Sequence, residues 1–264
     1  MSRLDASALN AACETEALPW RVQVVDEIGS TSDAVREAAL SGGASGLVLF
    51  AESQTAGRGR RDNRWITPKG KDLMFSLLLR PEVPAGLWPR LTTLAALAIC
   101  RAIEIELPLQ PMIKWPNDVY LQDRKVSGLL AEVVTPRTGM ALVLGVGLNV
   151  NTDQFPPDLE SSATSLLSGL QRPIIRELDR QQLALVLLRQ LHAQFERLDH
   201  GFHDAVAEVR ERSWLIGRQI RATVDGCELF GRAMDLNSEG HLVLALPDGT
   251  LTTLSSAEGV RQVV

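Results

Sequence analysis

The chain has 264 residues, 45% of them hydrophobic and 22% charged, with a formal net charge of −5. That length allows one large domain or a medium and a small one, and the mixture is that of a soluble, well-cored protein. The acidic balance weighs against general nucleic-acid binding, and no apolar run reaches the roughly 18 residues a membrane span needs. No basic-then-apolar leader opens the chain. Its three cysteines, Cys13, Cys100 and Cys227, lie far apart without a C-x-x-C pair. They fit a reducing cytoplasm and small hydrophobic fillers better than a disulfide framework or a zinc site.

The Ala-rich first twenty residues read as a short helix or a frayed tail. Val22–Val25 is a predicted strand, and Ser30, Thr31, Ser32 and Asp33 open an amphipathic helix that Gly42 stops. "GLVLFAES" and "DLMFSLLLRP" are buried strands on either side of a basic loop, and "WPRLTTLAALAICRAIEIEL" is a helix apolar nearly all round. Next come a strand in "MIKWP", a hairpin in "DVYLQDRKVSGLLAEVV" turning at Asp123-Arg124, and a strand in "MALVLGVGLNVN". These near-continuous apolar runs point to a sheet covered on both faces or at a subunit contact. Periodicity predicts a helix over 176–202 and a shorter one up to Arg212. From Ser213, short strands alternate with turn signals at Asp225-Gly226, Glu239-Gly240 and Asp248-Gly249. They predict a small SH3-like barrel. The expected architecture is α+β, with units 1–212 and 213–264.

Three motifs carry chemistry. "ESQTAGRGRRDNRW" holds Arg58, Arg60, Arg61 and Arg64 around Gly57 and Gly59. Arginine forks suit phosphate or carboxylate, and glycine lets the backbone approach a ligand. Charge alone favours a solvated loop or a nuclear-type basic patch. Gln54 before it and Trp65 after it favour a pocket closing over a small anion. "KWPNDV" places Lys114, Asn117 and Asp118 at a strand end, with oxygens for Mg²⁺ or ribose and a compact charge for phosphate, although Pro-Asn-Asp is also a common turn. "DRKVSG" sets Lys125 where it must snorkel or meet a charged partner. Gly128 beside it, and Gly145, Gly147 and Asn149 in "GVGLNVN", would let a ligand approach the strands. His192, His200, His203 and His241 lack ligand-like partners in sequence, and no covalent nucleophile motif is present. Donors for an anion without a nucleophile suit adenylate formation.

In their order and spacing, "GSTSDAVREA", "AESQTAGRGRRDNRW", "IKWPNDVYLQDRKVSGLLAE" and "LGVGLNVN" resemble the bacterial biotin protein ligases, from Val22 to the C-terminus. The resemblance implies a mixed sheet flanked by helices, related to class II aminoacyl-tRNA synthetases and lipoate ligases, followed by the SH3-like unit. It also implies biotin activation by Mg·ATP to biotinyl-5′-AMP and transfer to a lysine of a biotin carboxyl carrier protein, with acetyl-CoA carboxylase as the carrier's enzyme. Carried over by position, Ser30, Thr31, Ser32 and Gln54 would meet the biotin head. Arg58, Gly59, Arg60 and Lys125 would meet its carboxylate and the adenylate phosphate, and Gly128, Gly145 and Gly147 would form strand walls. Trp65, Lys114, Asn117, Asp118 and Asn149 would serve the nucleotide, with Asp118 toward Mg²⁺. The family usually has Asn at position 32 and Gly at position 62, where this chain has Ser32 and Asp62. The chain offers no room for the N-terminal winged helix of the family's repressor branch, so no repressor role is expected. Other readings are a lipoate or other acyl-acid ligase, a nucleic-acid-binding module and an inactive biotin sensor. The apolar run "ALVLGVGLNV" as an edge strand would permit a homodimer.

Overall fold

The structure, a computed structural model, describes residues 3–60, 63–170 and 176–263. Asp62, whose effect on closure of the basic loop the sequence raises, lies outside the described residues, as does Arg61.

Helix α1 (Ala6–Thr15) is capped by Asp5, whose carboxylate accepts from the Ser7 and Ala8 amides, and it buries Leu9 and Cys13. The N-terminal segment is therefore helical and docked. Strands β1 (Arg21–Val25) and β2 (Leu47–Ala51) flank α2 (Thr31–Leu40), whose start is capped by the Ser30 hydroxyl. After β3 (Leu73–Leu79) comes α3 (Arg90–Glu106), then β4 (Met112–Lys114), β5 (Asp118–Leu121), β6 (Arg124–Val134) and β7 (Ala141–Leu148). The short α4 (Leu166–Gly169) precedes α5 (Arg180–Phe195) and α6 (Phe202–Glu211). The predicted helix to 202 thus ends seven residues early. Gly201, at φ +96°, breaks the periodic run and starts α6. The β5–β6 turn is centred on Gln122 and Asp123, at φ +51° and +60°, one residue before the expected position. Both central residues of such a two-residue turn need positive φ, which Asp tolerates.

The large sheet runs β1-β2-β3-β7-β6-β5-β4. β1 and β2 are parallel and every other pair is antiparallel, so the sheet is mixed. Alternation along β3 and β7 divides the side chains. Leu73, Phe75, Leu77, Leu142, Leu144, Val146 and Leu148 join the core shared with α3 and α5, whereas Leu78, Ala141 and Val143 pack under α2. The second face also carries Met74, Ser76, Gly145 and Gly147, where α2 ends and the sheet is left open for a site. Because β7 pairs with both β3 and β6, it is a central strand, and the homodimer expected through its edge has no edge to use. Its continuous apolar character reflects cover on two faces.

Strands β8 (Gln219–Val224), β9 (Cys227–Leu236), β10 (Leu242–Ala245), β11 (Leu251–Leu254) and β12 (Glu258–Gln262) form a five-stranded antiparallel sheet ordered β11-β10-β9-β8-β12. This is the SH3-like unit read from the turn signals; Asp225 and Gly226 both take positive φ between β8 and β9. Its apolar residues Ile220, Ala233, Leu236 and Leu244 merge with the main core. The Trp115 indole donates to the Gly240 carbonyl at 3.1 Å, a second tie between the units. Cys13 and Cys100 are buried fillers, but Cys227 is exposed. No helix among the described residues is long and apolar enough to cross a membrane.

Candidate active site

A cavity of about 470 Å³ opens on the α2 face of the large sheet. Its wall includes Thr31, Ser32, Gln54, Arg58, Gly59, Arg60, Trp65, Lys114, Asn117, Asp118, Lys125, Gly128, Gly145, Gly147 and Asn149. These residues come from distant parts of the chain, and nearly all the positions singled out in the sequence converge here. Ser30 does not line the cavity; its hydroxyl caps α2. Glu258, Gly259 and Arg261 of β12 also line it, so the second sheet closes one side. Evenly spaced barrel strands gave no hint of that contribution.

One end is a small polar cluster set into the apolar sheet. The Gln54 carbonyl oxygen accepts from the Thr31 amide at 2.7 Å and from its hydroxyl at 3.1 Å. Ser76, fully buried on β3, lies 2.8 Å from the Thr31 hydroxyl and 3.0 Å from that of Ser32. Ser76 was missed, although a single hydroxyl in the apolar run "DLMFSLLL" was a signal: buried polar groups are retained with partners. Gly145 makes room for this cluster, since a Cβ there would come within 2.6 Å of the Ser32 hydroxyl.

The basic loop folds back on itself. Gly59 donates to the Asn63 carbonyl at 2.8 Å and Trp65 to that of Gly57 at 3.0 Å. Arg58 makes a bidentate pair with Glu132 at 2.7 and 2.9 Å and reaches Asp33 at 2.8 Å. Its fork is thus taken up in tying the loop to β6 and α2, and the hydrogen bonds and charge of Glu132 raise the already high pKa of the guanidinium. Sequence reasoning missed Glu132 because a partner 74 residues away leaves no local trace. Arg60 is held differently. It donates at 2.9 Å to the Asn117 side-chain oxygen, a neutral partner, and makes no ion pair among the described residues. Asn117 is fixed in turn by donating to the Leu129 carbonyl at 2.8 Å.

Trp65 lies against the strand wall. A Cβ on Gly147 would fall 2.3 Å from its indole, and one on Gly128 would meet it at 3.1 Å, so these glycines are what admit the ring. The indole N–H is buried without a hydrogen-bond partner among the described residues. Lys125 Nζ is 5.8 Å from the centre of that ring and 2.7 Å from Asp118 Oδ1. The contact with Asp118 is an ion pair poorly angled for a hydrogen bond, and Oδ1 is otherwise a buried acceptor without a hydrogen-bond partner among the described residues. Lys114 donates to the Tyr120 hydroxyl at 2.8 Å. Burial pulls the Lys114 pKa down, with Lys125 and Arg261 adding to the effect and Asp118 opposing it. Asn149 anchors the strand end by donating to the Thr164 carbonyl at 3.0 Å.

The cavity therefore joins a hydroxyl–amide end to a cationic end along a glycine wall. Known proteins share this chain's plan. Residues 25–149 match the biotin/lipoate A/B protein ligase family. The chain is 36% identical over 249 residues to the biotin--[acetyl-CoA-carboxylase] ligase of Mycobacterium tuberculosis, covering 91% of this chain and 89% of that one. It is 31% identical over 250 residues to the bifunctional ligase/repressor BirA of Bacillus spizizenii, covering 94% and 76%. The fold superposes on the biotin protein ligase of Aquifex aeolicus in complex with biotin and ATP with a TM-score of 0.80 at 26% identity, covering 92% and 99%. Sequence likeness along nearly the whole length and a shared fold make this chain a member of the biotin protein ligase family, an enzyme of the ligase class.

Proposed function

We propose that the chain joins biotin to a lysine of a biotin carboxyl carrier protein through a biotinyl-5′-AMP intermediate. The observation that carries this reading is the single cavity with a hydrogen-bonding end and a cationic end. Biotin is an apolar body with a polar ureido head and a carboxylate tail. Thr31, Ser32, Gln54 and Ser76 match the head, the apolar wall of strand glycines with the Trp65 indole seated on it matches the body, and Arg60, Lys114 and Lys125 match the tail and a nucleotide phosphate. A dithiolane or a plain acyl chain has no hydrogen-bonding head to match the polar hydroxyl–amide end, so the lipoate alternative is not favoured.

In the first step the biotin carboxylate attacks the α-phosphorus of ATP, the bond to the β-phosphate breaks, and pyrophosphate leaves. Two anions must meet, a repulsion on the order of several kcal/mol in a site of low dielectric. The three cations offset it, and Arg60 and Lys114 are the two whose hydrogen-bond partners are neutral. Arg58 contributes by holding the loop in place through Glu132 and Asp33. Asp118 would hold a Mg²⁺ that arrives with the nucleotide, its Oδ1 exchanging the Lys125 ammonium for the ion. An ion held mainly by substrate phosphates needs only one or two protein carboxylates, and when bound it neutralises phosphate charge. In the second step the unprotonated carrier amine attacks the biotinyl carbonyl, an amide forms, and AMP leaves. The loop residues Arg58, Gly59, Arg60 and Trp65, which line the cavity, cover the mixed anhydride and limit its hydrolysis.

We place the divide between the catalytic unit 1–212 and the C-terminal unit 213–264 at the segment beside β4. We assign the reaction to the cytoplasm, where ATP is available. The test is incubation with biotin, Mg·ATP and a cognate carrier domain, followed by an avidin blot. Biotinylated carrier is expected; folded protein that gives none overturns the ligase reading. Pyrophosphate exchange stimulated by lipoate but not biotin would replace it with the acyl-acid alternative.

A further inference from the structure

Lys114 reaches the cavity from β4, an edge strand, yet its ammonium is held from behind by groups that do not line the cavity. Its Nζ donates to the Tyr120 hydroxyl at 2.8 Å and lies 4.8 Å from the centre of the Tyr120 ring and 5.4 Å from that of Trp214. The two rings are 5.0 Å apart and tilted by 47°, forming an aromatic corner around the amine. A cation over two π faces is attracted without being neutralised. A carboxylate in the same place would have cancelled the charge that a phosphate needs.

Trp214 is itself immobilised. Its indole N–H donates to Asp123 Oδ1 at 2.6 Å, and the Arg218 guanidinium covers its ring at 4.1 Å. Arg218 also reaches Asp123, at 3.2 Å. The backbone on either side is fixed as well: Ile113 donates to the Arg212 carbonyl at 2.7 Å and Trp214 to that of Ile113 at 2.9 Å. The segment joining the two units thus makes a parallel β-bridge to β4 at Ile113 and Ser213, next to Lys114. Trp214 is buried, at 7% exposure.

We propose that Tyr120 and Trp214 are positioning residues that hold Lys114 in the conformation in which it meets the nucleotide phosphates, so that docking of the C-terminal unit is coupled to adenylate formation. This rests on the reading of Lys114 as a phosphate-binding cation. The physical reason is entropic. A lysine has a flexible four-carbon stem, and ordering it on arrival of the nucleotide would weaken binding. Held beforehand by a hydrogen bond and two ring faces, it is already in place. Tyr120 packs on Trp214 and donates no surface to the cavity, so its effect on a bound nucleotide passes through Lys114.

The experiment is a double-mutant cycle on adenylate formation, measured as ATP–pyrophosphate exchange, with KM for ATP and for biotin determined separately. A second assay follows single-turnover transfer from preformed biotinyl-5′-AMP to the carrier. Tyr120→Phe keeps the ring and removes the acceptor; it is expected to raise KM for ATP about tenfold to 100-fold, the range for losing one hydrogen bond to a charged group. KM for biotin and transfer from the preformed adenylate should stay within about twofold, on the same scale. Trp214→Leu should behave likewise, and Trp214→Phe, which keeps a π face, should restore most of the loss. In a Lys114→Met background, Tyr120→Phe should have no further effect. The clamp is overturned if Tyr120→Phe acts equally in that background, or if both aromatic variants alter biotin affinity and transfer as much as ATP affinity. A Lys114→Met variant with unchanged ATP kinetics would overturn both the clamp and the role of Lys114, while wild-type exchange activity separately tests the ligase reading.

Discussion

The two ends of the cavity are built on opposite principles. At the hydroxyl end, Thr31, Ser32, Gln54 and Ser76 satisfy one another within the protein, and Ser76 has no exposure at all. At the cationic end, Arg60 and Lys114 rest on neutral partners, while the Trp65 N–H and Asp118 Oδ1 have no hydrogen-bond partner among the described residues. The first is a recognition surface that exists before a substrate arrives. The second keeps its charge and hydrogen-bonding capacity in reserve for an anion. Shape and specificity therefore belong to one end and transition-state stabilisation to the other, so substitutions at each should move different kinetic constants.

The largest effect is expected at the cationic end. Lys125→Ala should lower the rate of biotin-dependent ATP–pyrophosphate exchange by about 100- to 1,000-fold, the range seen when one preorganised charge-stabilising group is removed. Because Lys125 also faces the biotin carboxylate, biotin affinity by calorimetry should fall, but by far less than the exchange rate; a variant that loses biotin affinity and keeps its exchange rate would erase the division of labour. Arg60→Gly comes next. Its bond to Asn117 is the loop's link to the β4–β5 turn, so the variant should release biotinyl-5′-AMP and label non-cognate lysines on an avidin blot. Selective labelling by that variant would mean the loop does not retain the adenylate.

At the hydroxyl end, Ser76→Ala leaves the Thr31 and Ser32 hydroxyls one partner short. KM for biotin should rise about tenfold, corresponding to about 1.4 kcal/mol, with kcat within about twofold. A fall in kcat at unchanged KM would contradict the comparison. The smallest effect lies outside the site. Burial alone would raise the Glu208 pKa, but hydrogen bonds from Arg101 and Arg197 together outweigh it and hold the carboxyl below its ordinary value near 4.5. The unfolded chain therefore binds the proton more readily, and this contribution is present above that value and lost as pH falls through the depressed one. Glu208→Gln should cost about 1 kcal/mol in urea unfolding at pH 7, with the difference shrinking below about pH 4.5. A difference that stays constant across that range would show that the ion pairs are not its source.

Much of this was legible in the chain because it is local. Helix starts at Ser30, the Asp225-Gly226 turn and the strand alternation each depend on a few neighbouring residues whose backbone preferences are strong. The motifs around Arg60, Asp118, Lys125 and Gly147 marked the cavity wall, because a ligand needs charge, oxygen and close backbone approach whatever surrounds it. Local signals failed where they were outweighed. Apolar periodicity ran on toward residue 202, past the end of α5 at Phe195 and across a glycine at φ +96°. An apolar strand reads the same whether it is central or peripheral, so the pattern of β7 carries no mark of its central place.

By itself, then, the sequence determined which segments would be helices and strands, that a second β unit follows the first, and which residues could handle an anion. The tertiary structure decided that β7 lies in the middle of the sheet, that Arg58 is engaged by Glu132 while Arg60 donates to the neutral Asn117, and that Ser76 joins Thr31 and Ser32. It also decided that Trp214 meets Lys114 across a separation of a hundred residues. The physical reason is the same in each case. Strand order, charge pairing and aromatic contact are set by which segments share a core, and burial of apolar surface brings them together without leaving a mark on the local pattern.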